Sequence, residues 1–321
     1  TTLTFSAGFS SMTSLPNNFI MHACFIFLVG STFTLSSYIG ISNGLKRLAN
    51  IVCYGVLVCC GILLVVGPTQ FISSNIVSSV GFALSGFVSM FTFTDPLGGG
   101  AFYKEWSLFY WFWTIAYTPA VGIFAARVSH GRTMRQLACA MLFGGVACAW
   151  TIHTVFGGYS LSQFFYGVID LPTIVMTQGG DIAIIELLKT LPVSGLSTAI
   201  FLLVLLIFLA SHVDAAAYTV ATTTTKNLPQ GQDPNPMLRL FWCIVVAVIP
   251  LSMIFSKVPL KTVKTAVIVS AVPFIIFLVI MTYGLLKWIR EDYGNKTVGQ
   301  IDDEAEELAR MPSEFDGRVT H

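Results

Sequence analysis

Charge is scarce in this chain. Only 10% of its 321 residues are charged and 55% are apolar, and the mean hydropathy is +0.77. Soluble domains carry about 25% charged residues. The shortage excludes a soluble cytosolic enzyme, a secreted disulfide scaffold and a nucleic-acid binder, because too little charge remains to coat a globule of this size in water. Acid is rarest in the body of the chain. Residues 1–290 hold 14 Lys and Arg against 7 Asp and Glu, whereas residues 291–321 hold 3 against 9. The apolar body and the acidic tail are therefore different objects. The seven cysteines form no CxxC pair and no Cys/His metal spacing, and we expect them to be small buried hydrophobes. No HExxH, GxSxG or P-loop pattern occurs, so no catalytic residue is assigned and an enzyme is not expected. There is no initial Met and no basic-plus-apolar leader; the expectation is a fragment of a longer protein.

What the chain has is apolar length. A membrane-spanning helix needs about 20 predominantly apolar residues. Seven runs qualify, at 19–41, 51–69, 106–127, 135–156, 197–222, 238–256 and 263–288, and residues 1–15 read as the end of an earlier helix. The run 71–93 is apolar but rich in Ser and Gly, and is expected to be an interfacial helix rather than a short span. Residues 157–196 should fold back as short helices, and 223–237 reads as a plain Pro- and Gly-rich connection. With alternating spans, Lys46, Arg47, Arg127, Arg132, Arg135, Lys226, Arg239, Lys287 and Arg290 share one side. The other side has Lys104, Lys189, Lys257, Lys261 and Lys264, together with Asp95, Glu105, Asp170, Asp181 and Glu186. The positive-inside rule makes the first side cytoplasmic, and the tail with it. The stretch 301–311 has the composition of a solvated helix or of a loose acidic tail.

One span carries an unusual stripe. At 100° per residue, Trp106, Tyr110, Trp113 and Tyr117 fall at about 0°, 40°, −20° and 20°, a narrow aromatic line about 16 Å long. An interfacial belt accounts for Trp106 and Tyr110 but not for the deeper Trp113 and Tyr117. Core packing accounts for those two, although Leu or Phe would pack without burying N–H and O–H groups. The remaining reading is a ligand path. Ring faces attract cations, and a quaternary ammonium, having no N–H, is best held by rings at about 0.5–2 kcal/mol each. Apart from Asp214 the expected spans contain no acid, so a cation entering them would be met by rings. Thr118–Pro119, with Gly122 beyond, is expected to interrupt this helix one turn below the stripe, and broken helices near the midplane are where transporters build sites.

The block FTFTDPLGGGAFYKEWSLFYWFWTIAYTPAVGIFAARVSHGRTMRQL (91–137) resembles the betaine/choline/carnitine transporter (BCCT) family. The likeness lies in its aromatic helix and in the following A-R-x-S-x-G-R-T-x-R loop, here Ala126, Arg127, Ser129, Gly131, Arg132, Thr133 and Arg135. GISNGLKRLAN (40–50), DAAAYTVATTTT (214–225) and PLKTVKTAVIVSAVPF (259–274) also match. The likeness covers essentially all of 1–290, and we assign it to the C-terminal two-thirds of the chain. The resemblance implies an all-α, polytopic membrane protein of the LeuT-type inverted-repeat fold, incomplete here at about seven full spans plus an interfacial helix. Residues 1–105 would be the end of the first repeat, 106–290 the second five-helix repeat, and 291–321 the acidic cytoplasmic tail.

Carried over residue by residue, the resemblance makes Trp113 and Tyr117 cage positions and Trp106 and Tyr110 an outer substrate position. Thr114 stands where the family usually has a second Trp. The family's sodium-dependent members place paired hydroxyls before an Asp; here Ser211 and His212 precede Asp214. Ser211 still offers an oxygen to sodium. His212 offers none, and is read either as a hydrogen-bonded residue in a bundle or as a substitute charge. Asp214 is expected to tether its helix. The implied function is secondary transport of a quaternary ammonium solute such as betaine, carnitine or choline by alternating access in a bacterial inner membrane. The alternatives are a sulfonium or other onium solute, and a non-transporting fragment or receptor. Sodium is the one candidate cofactor. The partners are a small cationic or zwitterionic solute, the lipid bilayer and, by analogy, two further copies in a homotrimer. The segment QGGD (Gln178–Asp181) also resembles intramembrane aspartyl proteases, but no second Asp sits in a matching span.

Overall fold

Lipid offers a backbone nothing to bond to, so a chain this apolar must satisfy its own N–H and C=O groups, and the helix does so within one segment. The computed structural model describes residues 1–38, 41–100, 102–129, 132–228, 232–297, 299–301 and 303–304, with the side chains of 33–38, 41–46 and 260 left out. Along these residues the helices are α1 (Thr2–Thr13), α2 (Phe19–Tyr38), α3 (Ile41–Val66), α4 (Thr69–Ser85), α5 (Phe87–Phe91), α6 (Phe109–Val128), α7 (Met134–Cys139), α8 (Gly145–Phe165), α9 (Leu171–Gln178), α10 (Gly180–Lys189), α11 (Ser194–Thr224), α12 (Pro236–Phe255) and α13 (Leu260–Tyr293). A π-helical stretch, Tyr103–Leu108, leads into α6, and another, Ala140–Gly144, joins α7 to α8.

Among the described residues six helical runs are long and apolar enough to cross a membrane: Arg47–Val66, Tyr103–Val128, Met134–Phe165, Ser194–Thr224, Pro236–Phe255 and Lys261–Tyr293. The chain is an all-helical, multi-pass membrane protein. The expected seventh span, 19–41, is α2, whose described apolar stretch Phe19–Thr32 is too short to count; the rest of that run reaches residues 39–40, outside the described set. The span expected at 135–156 extends to Phe165, the helix continuing through Gly157 and Gly158. Residues 71–93 form two helices that part at Gly86, and the short helices expected within 157–196 are α9 and α10. The helix expected at 301–311 lies largely outside the described residues, as does Gly131 of the loop motif.

Local chemistry sets the ends. Thr133 begins α7 with a capping box, its side chain accepting from Gln136 N while Gln136 accepts from Thr133 N, both at 3.2 Å. Asp170 caps α9 by accepting from Thr173 N, and Asn235 caps α12 by accepting from Met237 N at 2.9 Å, with Pro236 at the first turn. Hydroxyls inside the long helices turn back on their own carbonyls, as Thr151 does on Ala147, Thr219 on Ala215 and Thr282 on Leu278, each at 2.8 Å.

The chain divides into two compact units. One joins Thr1–Tyr103 with Thr118–Leu260, and the other joins Lys104–Tyr117 with the residues from Lys261 onward. The first is organised around α11, which packs against α1, α2, α3, α10 and α12. Its largest core gathers Cys60 and Leu63 of α3, Ile72 of α4, Val155 and Tyr159 of α8, and Ile185 and Leu188 of α10. The one polar group there that faces a neighbouring segment is matched, as Tyr159 Oη meets Thr190 Oγ1 at 2.8 Å. Phe5 of α1 stacks on Phe25 of α2, with centroids 3.9 Å apart. Gly8 lets α1 sit close: a Cβ there would lie 2.7 Å from Leu202 and 2.9 Å from Ile185.

Two expectations fail in this unit. Only Cys60 and Cys243 are buried, while Cys24, Cys53, Cys139 and Cys148 are exposed, because apolar faces of membrane helices need no protein cover. Arg239, counted above among the charges of the cytoplasmic side, lies inside α12 at 1% exposure and pairs with Asp214 of α11, at 0%. The guanidinium also lies 5.6 Å from the Tyr218 ring centroid, and the Tyr218 hydroxyl donates to Asp233 in the connecting loop at 3.2 Å. Asp214 therefore does tether its helix, through a buried ion pair. Replacing Arg239 by Met strands the carboxylate and is expected to cost about 3–5 kcal/mol, read as a lower melting temperature of detergent-purified protein. Adding Asp214→Leu should recover most of the loss; a double variant as unstable as the single one would show that the charges are not coupled.

Candidate functional site

The stripe read from the sequence is a ladder of rings in the structure. Trp106, in the π-helical stretch, and Tyr110 have centroids 6.2 Å apart; Tyr110 and Trp113 are 6.1 Å apart, and Trp113 and Tyr117 are 6.1 Å apart. The first and third pairs are near-parallel, and the second is edge-on at 68°. All four rings belong to the smaller unit. Each is close to half exposed, from 44% for Trp113 to 52% for Trp106, as are many other large apolar side chains on the membrane-length helices. The Thr114 hydroxyl donates to Tyr110 O at 2.8 Å, back along the helix. Helix α6 runs through Pro119 without interruption; the departure from α geometry comes upstream, in the π-helical turn that carries Trp106. The expected break at Thr118–Pro119 is therefore absent, since the ring of Pro119 costs one helical hydrogen bond and neighbouring turns carry the rest.

Sequence reasoning missed two members of this group. Phe109 lies parallel to Trp113 at 6.2 Å and edge-on to Tyr110 at 5.3 Å, which the 100° projection signals by placing it beside the stripe. Lys264, at the start of α13, holds its ammonium 4.8 Å from the Phe109 centroid and 5.9 Å from that of Trp106. Nearby, Lys261 Nζ is 3.9 Å from Glu105 Oε1. These contacts put the starts of α13 and of the aromatic helix at the same end of the unit. A contact between segments 150 residues apart leaves no periodic trace in the sequence.

Ser211 and His212 belong to α11, in the larger unit. The Ser211 hydroxyl donates to Phe208 O at 2.8 Å. His212 Nδ1 lies 3.0 Å from the same oxygen, and since a carbonyl only accepts, Nδ1 carries the hydrogen. The imidazole packs on the Phe208 ring at 4.2 Å. Both side chains thus fold back onto their own helix. Among the described residues no three His, Cys, Asp or Glu side chains converge. The larger unit also contains an apolar cavity of about 1170 Å³ lined from α2, α11 and α12 by Phe27, Val29, Leu209, Val213, Leu240 and Pro250 among others; none of the expected site residues faces it. In QGGD, Gly179 takes φ +96 where α9 turns into α10, and Asp181 accepts a hydrogen bond from Thr4 of α1. That segment is a turn between two helices and a tether to α1.

Comparison with known proteins gives a family match over residues 1–294, described as "BCCT, betaine/carnitine/choline family transporter". The match includes the N-terminal region, so the likeness is not confined to the C-terminal two-thirds. The chain is 46% identical over 293 residues, 91% of its length, to a "Carnitine transporter" of Acinetobacter baumannii. It is 43% identical over 302 residues, 94% of its length, to "Uncharacterized transporter YeaV" of Escherichia coli. It spans 53% and 63% of the lengths of these two relatives.

With the hydroxyl at 211 bonded inside its helix and a nitrogen at 212, replacing potassium by sodium is expected to change the melting temperature of the unaltered protein and of Ser211→Ala by the same amount. A sodium-dependent shift lost in Ser211→Ala alone would place the ion on that hydroxyl.

Proposed function

The chain belongs to the betaine/carnitine/choline transporter family, and on that premise we propose that it carries quaternary ammonium solutes across a bacterial inner membrane by alternating access. The observation that supports this most is the ring ladder Trp106, Tyr110, Trp113 and Tyr117, in contact at about 6 Å steps with each residue about half exposed. A trimethylammonium group cannot donate a hydrogen bond. In a low-dielectric site it is held by dispersion and by the negative faces of rings, and rings at successive 6 Å steps let it pass from one to the next without a deep trap.

In this reading Trp113 and Tyr117 hold the headgroup at the inner position, and Trp106 and Tyr110 receive it at the outer one. Thr114, in place of a second Trp, widens the inner position. The 46% identity to a protein named as a carnitine transporter favours carnitine or betaine over a sulfonium solute. The chain, with residues 106–290 as the second repeat of a LeuT-type fold, supplies one wall of the cage, and the acidic tail lies on the cytoplasmic side. The structure favours coupling that does not use a hydroxyl pair on α11, because His212 breaks that pair. Exchange of one onium solute for another satisfies this. Assembly as a trimer rests on family likeness alone.

Trp113→Leu removes a ring face and keeps an apolar side chain. Its half-saturation constant for carnitine in reconstituted vesicles is expected to rise at least about tenfold, equivalent to about 1.4 kcal/mol. An unchanged constant would contradict the cage.

A further inference from the structure

We infer that Lys264 is a specificity residue that selects onium solutes bearing a carboxylate over onium solutes without one. The inference rests on the transport reading above and concerns the outer end of the same ladder.

The ammonium of Lys264 sits where a substrate cation would first arrive, 4.8 Å from the Phe109 ring and 5.9 Å from the Trp106 ring. Its neighbour Lys261 faces Glu105 at 3.9 Å. Among the described residues no carboxylate lies within ion-pair distance of Lys264. Among the described residues the outer rungs therefore already carry a positive charge with no carboxylate at ion-pair distance.

That charge treats two kinds of solute differently. Tyr110 is the next ring inward, 6.2 Å from Trp106 and 5.3 Å from Phe109. A headgroup resting on Tyr110 occupies the ring next to the two that Lys264 touches. If the solute is a bare cation such as choline, the two like charges repel. If it is a zwitterion such as carnitine or glycine betaine, its carboxylate reaches the ammonium while its methylated end keeps the ring. Lysine suits this task because its flexible stem lets the ammonium leave the ring face and follow the carboxylate. The ladder alone cannot make the distinction, since ring faces attract every onium headgroup alike.

The test is competition binding on the purified full chain with carnitine, glycine betaine and choline, comparing the unaltered protein with Lys264→Gln and Lys264→Arg. Lys264→Gln should weaken both zwitterions about threefold to fivefold, the range of a solvent-accessible ion pair, and leave choline unchanged or tighter. Lys264→Arg should keep the original preference. Equal changes for all three solutes in Lys264→Gln, or no change for any, would overturn the assignment. So would an unaltered protein that binds choline as tightly as the zwitterions. A protein that binds none of the three would overturn the transport reading, and this one with it; preserved binding with unaltered selectivity would overturn this one alone.

Discussion

A charge placed among membrane helices has to be met there, because lipid will not solvate it. This chain meets charge in two chemically distinct ways, and they divide its structure. In the larger unit, Asp214 and Arg239 neutralise each other at essentially zero exposure, locking α11 to α12. In the smaller unit, cations are met by rings: Lys264 already lies over Trp106 and Phe109. The first arrangement is closed and structural. The second is open on one side, and a ring face releases what it holds far more easily than a carboxylate does.

Polar side chains inside the helices are tied to backbone. Thr114 in the smaller unit, and Ser211 and His212 in the larger one, each bond to a carbonyl three or four residues earlier on their own helix. The shape of the larger unit depends on small residues where helices approach, such as Gly8 against Leu202 and Ile185, and on tethers between distant segments, such as Thr4 to Asp181. It does not depend on a broken helix at Pro119.

Much of this was legible in the residues before the structure, for identifiable reasons. Helix existence followed from apolar length, and the short helices of 157–196 followed from its Pro and Gly content; Pro172 does sit in the first turn of α9, which Asp170 caps. The ladder was legible because side chains on one helix obey a fixed angular step. Contacts between segments far apart in the chain were not. Arg239 reads as a loop charge because it sits three residues into α12 behind Asn235 and Pro236, and nothing local says that Asp214 waits for it on α11. Lys264 reads as one of three awkward lysines on the outer side, and only the pairing of α13 with the aromatic helix turns it into a group over rings. The cysteines misled because burial in a membrane protein is shared with lipid, so an apolar residue need not face protein.

The central claim is electrostatic: the ring face of Trp113 holds a positive headgroup. Replacing Trp113 by tryptophans carrying one, two and three fluorines leaves its shape nearly constant and drains negative charge from the ring face in steps. If the headgroup rests on that face, the logarithm of the carnitine dissociation constant should rise in proportion to the loss of ring-face potential. A constant that stays flat across the series would show that Trp113 contributes only shape, and would contradict the account.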